Sequence, residues 1–256
     1  MSRDILLFSG GLDSYIAYFY LQKPTCLFID LKHKYAEVEK RTVCRLQPYM
    51  GNSIIIEDHA LNLSKWEQED SIIPLRNIYM AMIATNYGDN IWVIGVEGDY
   101  VHDKSPLAFE KMSEFLTNFC ERPIKIDSPF WNMTKTEHVA WYVQNGYSIP
   151  ELLKTYSCFD PDGIHCGHCP SCFRRWIAMF NNDIQEQYKK NPLDWPMIPE
   201  YIERMKNGRY SRRRAEEFFT ALFKADYKIE KTSIDWIESL RNGGKSNDDL
   251  YCSSIV

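Results

Sequence analysis

Hydrophobic positions in the first 150 residues fall into short continuous runs, separated by longer stretches with apolar residues at helical spacing. The runs at 5–8, 25–29, 53–57, 91–96 and 124–126 predict buried strands. The stretches at 12–21, 37–49, 77–87, 109–120 and 135–145 predict helices, the last closed by Gly146. Strands alternating with helix-length segments imply βαβ units. The fold class expected is therefore α/β, a doubly wound parallel sheet covered on both faces.

The pattern stops at Ser157. From there to Cys172 the chain is rich in Cys, His, Gly, Asp and Pro and has no periodicity. A helix resumes at 174–180. Pro192, Pro196 and Pro199 then interrupt the chain, two amphipathic helices are expected near 214–224 and 234–240, and residues 242–256 read as a loose tail. The organisation expected is an α/β domain over 1–150, a cysteine-rich region over 151–180 and a helical extension over 181–256.

With 45% hydrophobic residues in 256, the chain has enough apolar material for a core without disulfides, which excludes disorder. Thirty Lys and Arg against 35 Asp and Glu give a net charge of −5. That balance argues against nucleic acid as the main partner, and the basic cluster at Arg209 and Arg212–Arg214 reads first as a solvated helix start. No apolar run reaches the roughly 18 residues of a membrane span. The opening run at 5–8 is too short for a signal peptide, so a cytoplasmic protein is expected, in which clustered cysteines point to metal.

Two motifs carry chemistry. Ser9-Gly10-Gly11-Leu12-Asp13-Ser14 lies directly between a predicted strand and a helix. There the unpaired helix amides and the dipole favour an anion, glycines permit close approach, and the hydroxyls of Ser9 and Ser14 add donors. Asp13 can hold Mg²⁺ or orient the loop. The expected ligand is a phosphate or pyrophosphate, and without a Lys-Ser/Thr ending this is not a Walker loop. The second motif is Cys158, Cys166, Cys169 and Cys172, four thiols that can close a tetrahedral Zn²⁺ site with no open position, hence a structural one. His165 and His168 compete as ligands. Cys26, Cys44, Cys120 and Cys252 are scattered and read as core or surface thiols.

The first motif resembles the pyrophosphate loop of the PP-loop ATP pyrophosphatases, which adenylate a carbonyl or carboxylate. The segment from Tyr156 to Arg175, with Ser-Cys-Phe followed by His-Cys-Gly-His-Cys-Pro-Ser-Cys, is similar to the zinc region of the 7-cyano-7-deazaguanine synthase (QueC) family of that superfamily. Pro74-Leu75-Arg76-Asn77 resembles the family's Pro-x-Arg-Asn, and Thr134-Lys135-Thr136-Glu137 its Thr-Lys-x-Glu helix start. The resemblance covers residues 5 to about 180.

It implies an ATP-dependent ligase that converts 7-carboxy-7-deazaguanine and ammonia to the nitrile through an adenylated carboxylate and an amide, using Mg²⁺ with ATP and one structural zinc, in a plausible homodimer. On this reading Asp13, Ser14, Arg76 and Lys135 are catalytic. Phe8, Ser9, Gly10, Gly11, Leu12, Asp30, Asn77 and Gly95 join Asp13 and Ser14 around ATP, and Asp99 and Tyr100 meet the base. Arg76 suits a bidentate anion contact. Lys135 at a helix start, where a cation is disfavoured, suggests an anionic partner.

Two stretches depart from the family pattern: Leu31–Tyr35 after the second strand, and residues 101–106 after Asp99-Tyr100. Both fall where nucleotide and base would sit, so the ATP chemistry is more legible than the acceptor. The alternatives are a tRNA thiolase carrying an iron–sulfur cluster, a related enzyme modifying another base or a protein, and a non-catalytic nucleotide-binding module.

Overall fold

Each apolar run becomes a parallel strand of a single sheet. The computed structural model describes residues 3–51, 55–69, 71–99 and 102–241. The strands are β1 (Asp4–Leu7), β2 (Thr25–Ile29), β3 (Ile55–Asp58), β4 (Asn90–Trp92) and β5 (Lys125–Asp127). Their order is β3-β2-β1-β4-β5, and every pair is parallel. Between them run α1 (Leu12–Tyr20), α2 (Ala36–Leu46), α3 (Arg76–Ala84) and α4 (Pro106–Cys120), with α5 (Lys135–Gln144) and the short α6 (Ile149–Leu152) following β5.

Because side chains alternate along a strand, the sheet sorts its residues to two faces. Leu6, Cys26 and Phe28 pack with Tyr15 and Ile16 of α1, Val43 of α2 and Val139 of α5. Ile5, Leu27 and Ile91 pack on the other side with Ala81 of α3 and Phe109 of α4. The sheet is thus covered on both faces, and the chain leaves β1 toward β2 on one side while β4 lies on the other. That reversal opens a crevice at the carboxyl end of β1, where such folds bind ligands.

Four more helices follow: α7 (Pro170–Asn181), α8 (Ile198–Lys206), α9 (Arg212–Lys224) and α10 (Lys231–Arg241). They share a core of their own around Phe173, Trp195, Ile198, Phe218 and Ile237.

Several expectations need correction. The fourth strand was expected to reach Val96 but stops at Trp92; Gly95 N–H instead donates to Ser128 Oγ at 3.0 Å and Gly95 C=O accepts from it at 2.6 Å, so a side chain replaces the ladder. The helix expected from Arg174 begins at Pro170, and that expected from Arg214 begins at Arg212. Helix α8 was not expected at all. Pro199 lies in its first turn, where a missing N–H costs nothing, as do Pro106 in α4 and Pro170 in α7. Ser53 and the tail at 242–256 lie outside the described residues.

Candidate functional site

The loop from Phe8 to Ser14 turns the chain from β1 into α1. Gly10 takes φ +73°, and a Cβ there would lie 2.9 Å from Thr42 Cγ2, so both conformation and space require glycine. Gly11 is the N-cap of α1 with extended backbone and no side-chain cap, and the first intrahelical bond is Tyr15 N–H to Gly11 C=O. The amides of the first turn are therefore left for another acceptor. Ser9 Oγ accepts from Gly11 N–H at 3.3 Å and Ser14 Oγ donates to Gly11 C=O at 3.1 Å, which fixes both hydroxyls beside that turn.

Asp13 is met from across the site by α5. Thr134 caps that helix in a reciprocal box with Glu137, setting Lys135 in its first turn. Both Asp13 carboxylate oxygens accept from Lys135 Nζ, and buried His138 brings Nε2 to 3.0 Å from Oδ1. Burial alone would raise the Asp13 pKa, but Lys135 and His138 hold it well below the usual carboxylate range. Burial pushes Lys135 and His138 down.

A cavity of about 260 Å³ opens here. Phe8, Ser9, Gly11, Leu12, Asp13, Ser14, Arg76, Asn77 and Lys135 line it together, as the sequence reading grouped them. Gly10, Asp30, Gly95 and Asp99 are not in that wall. Gly10 C=O accepts from Tyr156 N–H at 3.1 Å. Asp30 is buried against Lys32, at 2.6 Å, and His59, at 3.4 Å. Gly95 lies under the Trp131 ring, where a Cβ would sit 2.3 Å from it. Tyr100 lies outside the described residues.

The departing segments build part of the wall. His33 and Tyr35 line the cavity, their rings stacked at 4.0 Å, and His33 Nε2 stands 3.2 Å from Glu39. Asp103 accepts from the Asn77 amide and from Asn77 Nδ2, both at 2.9 Å, which pins the start of α3 and so Arg76. Lys104 reaches this cavity and a second one of about 530 Å³, in which Asp99 lies. Asp99 pairs there with Lys104 at 2.8 Å and Arg174 at 3.0 Å. His33, Tyr35 and Lys104 lie in the two departing stretches without having been singled out, and His138 and Arg174 escaped sequence reasoning. Only His138 left a signal, one turn after Lys135 on the same helix face.

The four cysteines do come together. Their sulfurs all lie within 4.8 Å of one another, with Cys158 to Cys169 at 4.0 Å and Cys166 to Cys172 at 3.8 Å. Four sulfurs at Zn–S distances of about 2.3 Å in a tetrahedron stand about 3.8 Å apart, so the cluster fits one ion such as Zn²⁺. An iron–sulfur cubane would hold its cysteines much farther apart. Backbone amides of Asp160 and Cys166 donate to Cys158 Sγ, that of His168 to Cys166 Sγ and that of Cys172 to Cys169 Sγ, which favours thiolate. Neither histidine competes as expected: His165 Nε2 accepts from Ser157 N–H with Nδ1 facing Glu186, and His168 is exposed. Of the scattered thiols Cys26 is buried, Cys44 exposed and Cys120 half-buried, while Cys252 lies outside the described residues.

Buried Arg175 ties this region to the segments at 152–157 and Glu186. It holds Glu186 through Nε at 2.8 Å and Nη2 at 2.8 Å, and donates to Thr155 Oγ1 at 2.7 Å and Ser157 Oγ at 3.2 Å. Thr155–Cys158 is the segment that touches the phosphate-type loop through Tyr156 and lines the cavity at its other end.

Comparison with known proteins agrees with this assembly. The model of a family described as "Queuosine biosynthesis protein QueC" matches residues 38–183. A 7-cyano-7-deazaguanine synthase 1 of Sulfurisphaera tokodaii is 27% identical over 201 residues, spanning 73% of this chain and 97% of that protein. The 7-cyano-7-deazaguanine synthase of Rickettsia conorii is 29% identical over 167 residues, 56% of this chain and 71% of its own. A 7-cyano-7-deazaguanine synthase 1 of Desulfitobacterium hafniense is 25% identical over 206 residues, 70% of this chain and 91% of its own.

Proposed function

This chain belongs to the QueC family, and on that premise we propose that it is an ATP-dependent ligase converting 7-carboxy-7-deazaguanine and ammonia to 7-cyano-7-deazaguanine. The observation that carries the reading is the shared cavity: the Ser9–Ser14 loop, Arg76 and Lys135 face one space at the sheet's switch point.

The chemistry follows from what a carboxylate lacks, a good leaving group. ATP bound with its β- and γ-phosphates at the first-turn amides of α1 exposes its α-phosphorus to a carboxylate oxygen. Attack forms the acyl adenylate and expels pyrophosphate into the loop, where Arg76 and Lys135 offset its growing charge. Ammonia then attacks the acyl carbon, AMP leaves with the carboxylate oxygen, and an amide results. A second adenylation, on the amide oxygen, lets AMP depart as the nitrogen loses its protons to give the nitrile. No protein nucleophile is needed; the side chains position and neutralise. Asp13 is the carboxylate that would hold the Mg²⁺ accompanying ATP, and the metal would supply further positive charge beside the phosphates.

The four-cysteine cluster holds one structural Zn²⁺ on this reading, and the chain divides into a nucleotide domain over 1–150, a zinc region over 151–180 and a helical extension over 181–256. Two copies associate through the face of α4 where Leu107, Phe115 and Phe119 are exposed. The protein works in the cytoplasm; among the described residues no helix is long and apolar enough to cross a membrane.

The deciding experiment incubates the protein with ATP, Mg²⁺, ammonium and 7-carboxy-7-deazaguanine and reads products by mass spectrometry. AMP, pyrophosphate and the amide or nitrile are expected. AMP formed only when tRNA or a protein is added overturns the acceptor, and no AMP with any acceptor overturns the enzyme.

A further inference from the structure

The second cavity has a composition that the base-activating reaction does not call for. Seven of its residues, from Trp195 to Arg214, come from beyond the segment that matches the family. Its wall carries Lys104, Arg174, Arg204 and Arg214 against only Asp99 and Glu200, an excess of two positive charges. Lys104 and Arg174 share Asp99 between them, and Arg204 takes Glu200. Among the described residues, Arg214 has no carboxylate in ion-pair contact. Its guanidinium donates to the Gly98 carbonyl and to the Tyr201 hydroxyl, and lies 4.0 Å from the centre of the Tyr210 ring.

The acidic groups on the far side of these arginines are otherwise engaged. Glu97 is held by Arg213, and Glu217 accepts from Thr134 Oγ1 and the Thr136 amide. Burial, with Arg174 close by, pushes the Arg214 pKa below that of an ordinary guanidinium. A half-buried cation held only by neutral groups costs free energy until an anion meets it. Trp195, Tyr201 and Tyr210 supply aromatic wall beside these charges, and Lys104 lies on the wall of both cavities.

We propose that this cavity binds a phosphate monoester carried on a planar base, a nucleoside 5′-monophosphate, with the phosphate between Arg204 and Arg214 and the base against the aromatic wall. A phosphate monoester carries about −1.5 to −2 charge at pH 7, which matches the excess of two cations. Arginine engages its oxygens in a bidentate manner, and bases stack on aromatic rings whatever their sequence context. The site is an addition to the adenylation reading above, which places the free base at the ATP cavity; Lys104 lines both cavities.

The test is calorimetric titration of the full chain, saturated with α,β-methylene-ATP, with guanosine 5′-monophosphate, guanosine and inorganic phosphate. The monophosphate is expected to bind at least tenfold more tightly than either of the others. Arg214→Met is expected to weaken it at least tenfold and Arg204→Gln at least threefold, both leaving guanosine and the ATP analogue unchanged. Circular dichroism checks the fold of Arg214→Met, and Arg204→Gln, at the half-exposed rim, serves if that variant unfolds. Equal affinity for monophosphate and guanosine, unchanged affinity in the folded variants, or displacement of the ATP analogue by the monophosphate overturns the proposal. If the ATP analogue itself does not bind, the adenylation reading fails, and the same titrations on the ligand-free chain still decide the second site.

Discussion

Replacing Arg175 by Met tests whether the cysteine-rich region is braced electrostatically. Arg175 is 1% exposed and Glu186 is buried beside it. The pair is a good one: three N–H···O contacts of 2.8–3.0 Å join them, and Thr155, Ser157 and the Leu152 carbonyl take the remaining donors. Burial alone would raise the Glu186 pKa, yet Arg175 holds it below the usual range, so the carboxylate is charged in the folded protein. With methionine opposite, that charge keeps only Tyr188 Oη at 2.6 Å and His165 at 3.6 Å. Stranding one member of a buried pair costs about 3–5 kcal/mol. At a urea m-value of about 3 kcal/mol/M, a loss of about 4 kcal/mol lowers the unfolding midpoint by roughly 1.3 M. Tryptophan fluorescence in urea, with the metal bound, reads it directly. Arg175→Met/Glu186→Leu should regain most of the loss, because apolar replacement of both partners is often neutral. A single variant within about 0.3 M of the parent midpoint, or a double variant as unstable as the single, refutes the argument.

Four further outcomes are expected. Asp13→Asn should lower ATP turnover by about 100-fold or more, the loss typical of a lost electrostatic contact at a reacting centre, and lower the thermal midpoint, because largely buried Lys135 loses its carboxylate. Cys169→Ser should lose zinc on metal analysis and become markedly less stable, since metal binding is folding free energy; a variant that keeps both contradicts the structural role of the cluster. The folded-state pKa of His138 is depressed, so the unfolded chain binds more protons below about 6.5. Stability should therefore fall as pH drops through that value, and His138→Leu should flatten the fall in a series of thermal melts. Phe119→Glu should convert a dimer to a monomer by light scattering; a parent chain that is already monomeric removes the α4 interface.

The sheet was legible because its strands are buried on both faces and so read as continuous apolar runs. Where that signal misled, the cause was hydrogen bonding: residues 93–96 stay apolar, but Ser128 takes the polar groups of Gly95 and the ladder ends early. Helix α8 was hidden by the rule that proline breaks helices, which fails in a first turn. The metal-type cluster was legible because its ligands are close in sequence and the sulfur geometry follows from three short spacings. The wall of the second cavity was not, since Lys104, Arg174 and Arg214 meet only in the tertiary structure, where α7 packs between α5 and α9. Arg212–Arg214 read as a solvated helix start; Arg213 is exposed there though it bonds Glu97, whereas Arg214 turns inward to the Gly98 carbonyl, which only tertiary structure puts there.

The contact between Gly10 and Tyr156, and that between Asp13 and Lys135, join residues more than a hundred positions apart. During synthesis the first strand and its turn leave the ribosome early, yet the partners that complete the turn are translated only with Lys135 and Tyr156. The nascent chain must keep an unfinished glycine turn and an unpaired aspartate soluble over that interval, and non-local closure of this kind is slow. Truncated products ending before α7 would keep Asp13, Lys135 and Tyr156 but lack Cys172, so the sulfur site is the part completed last.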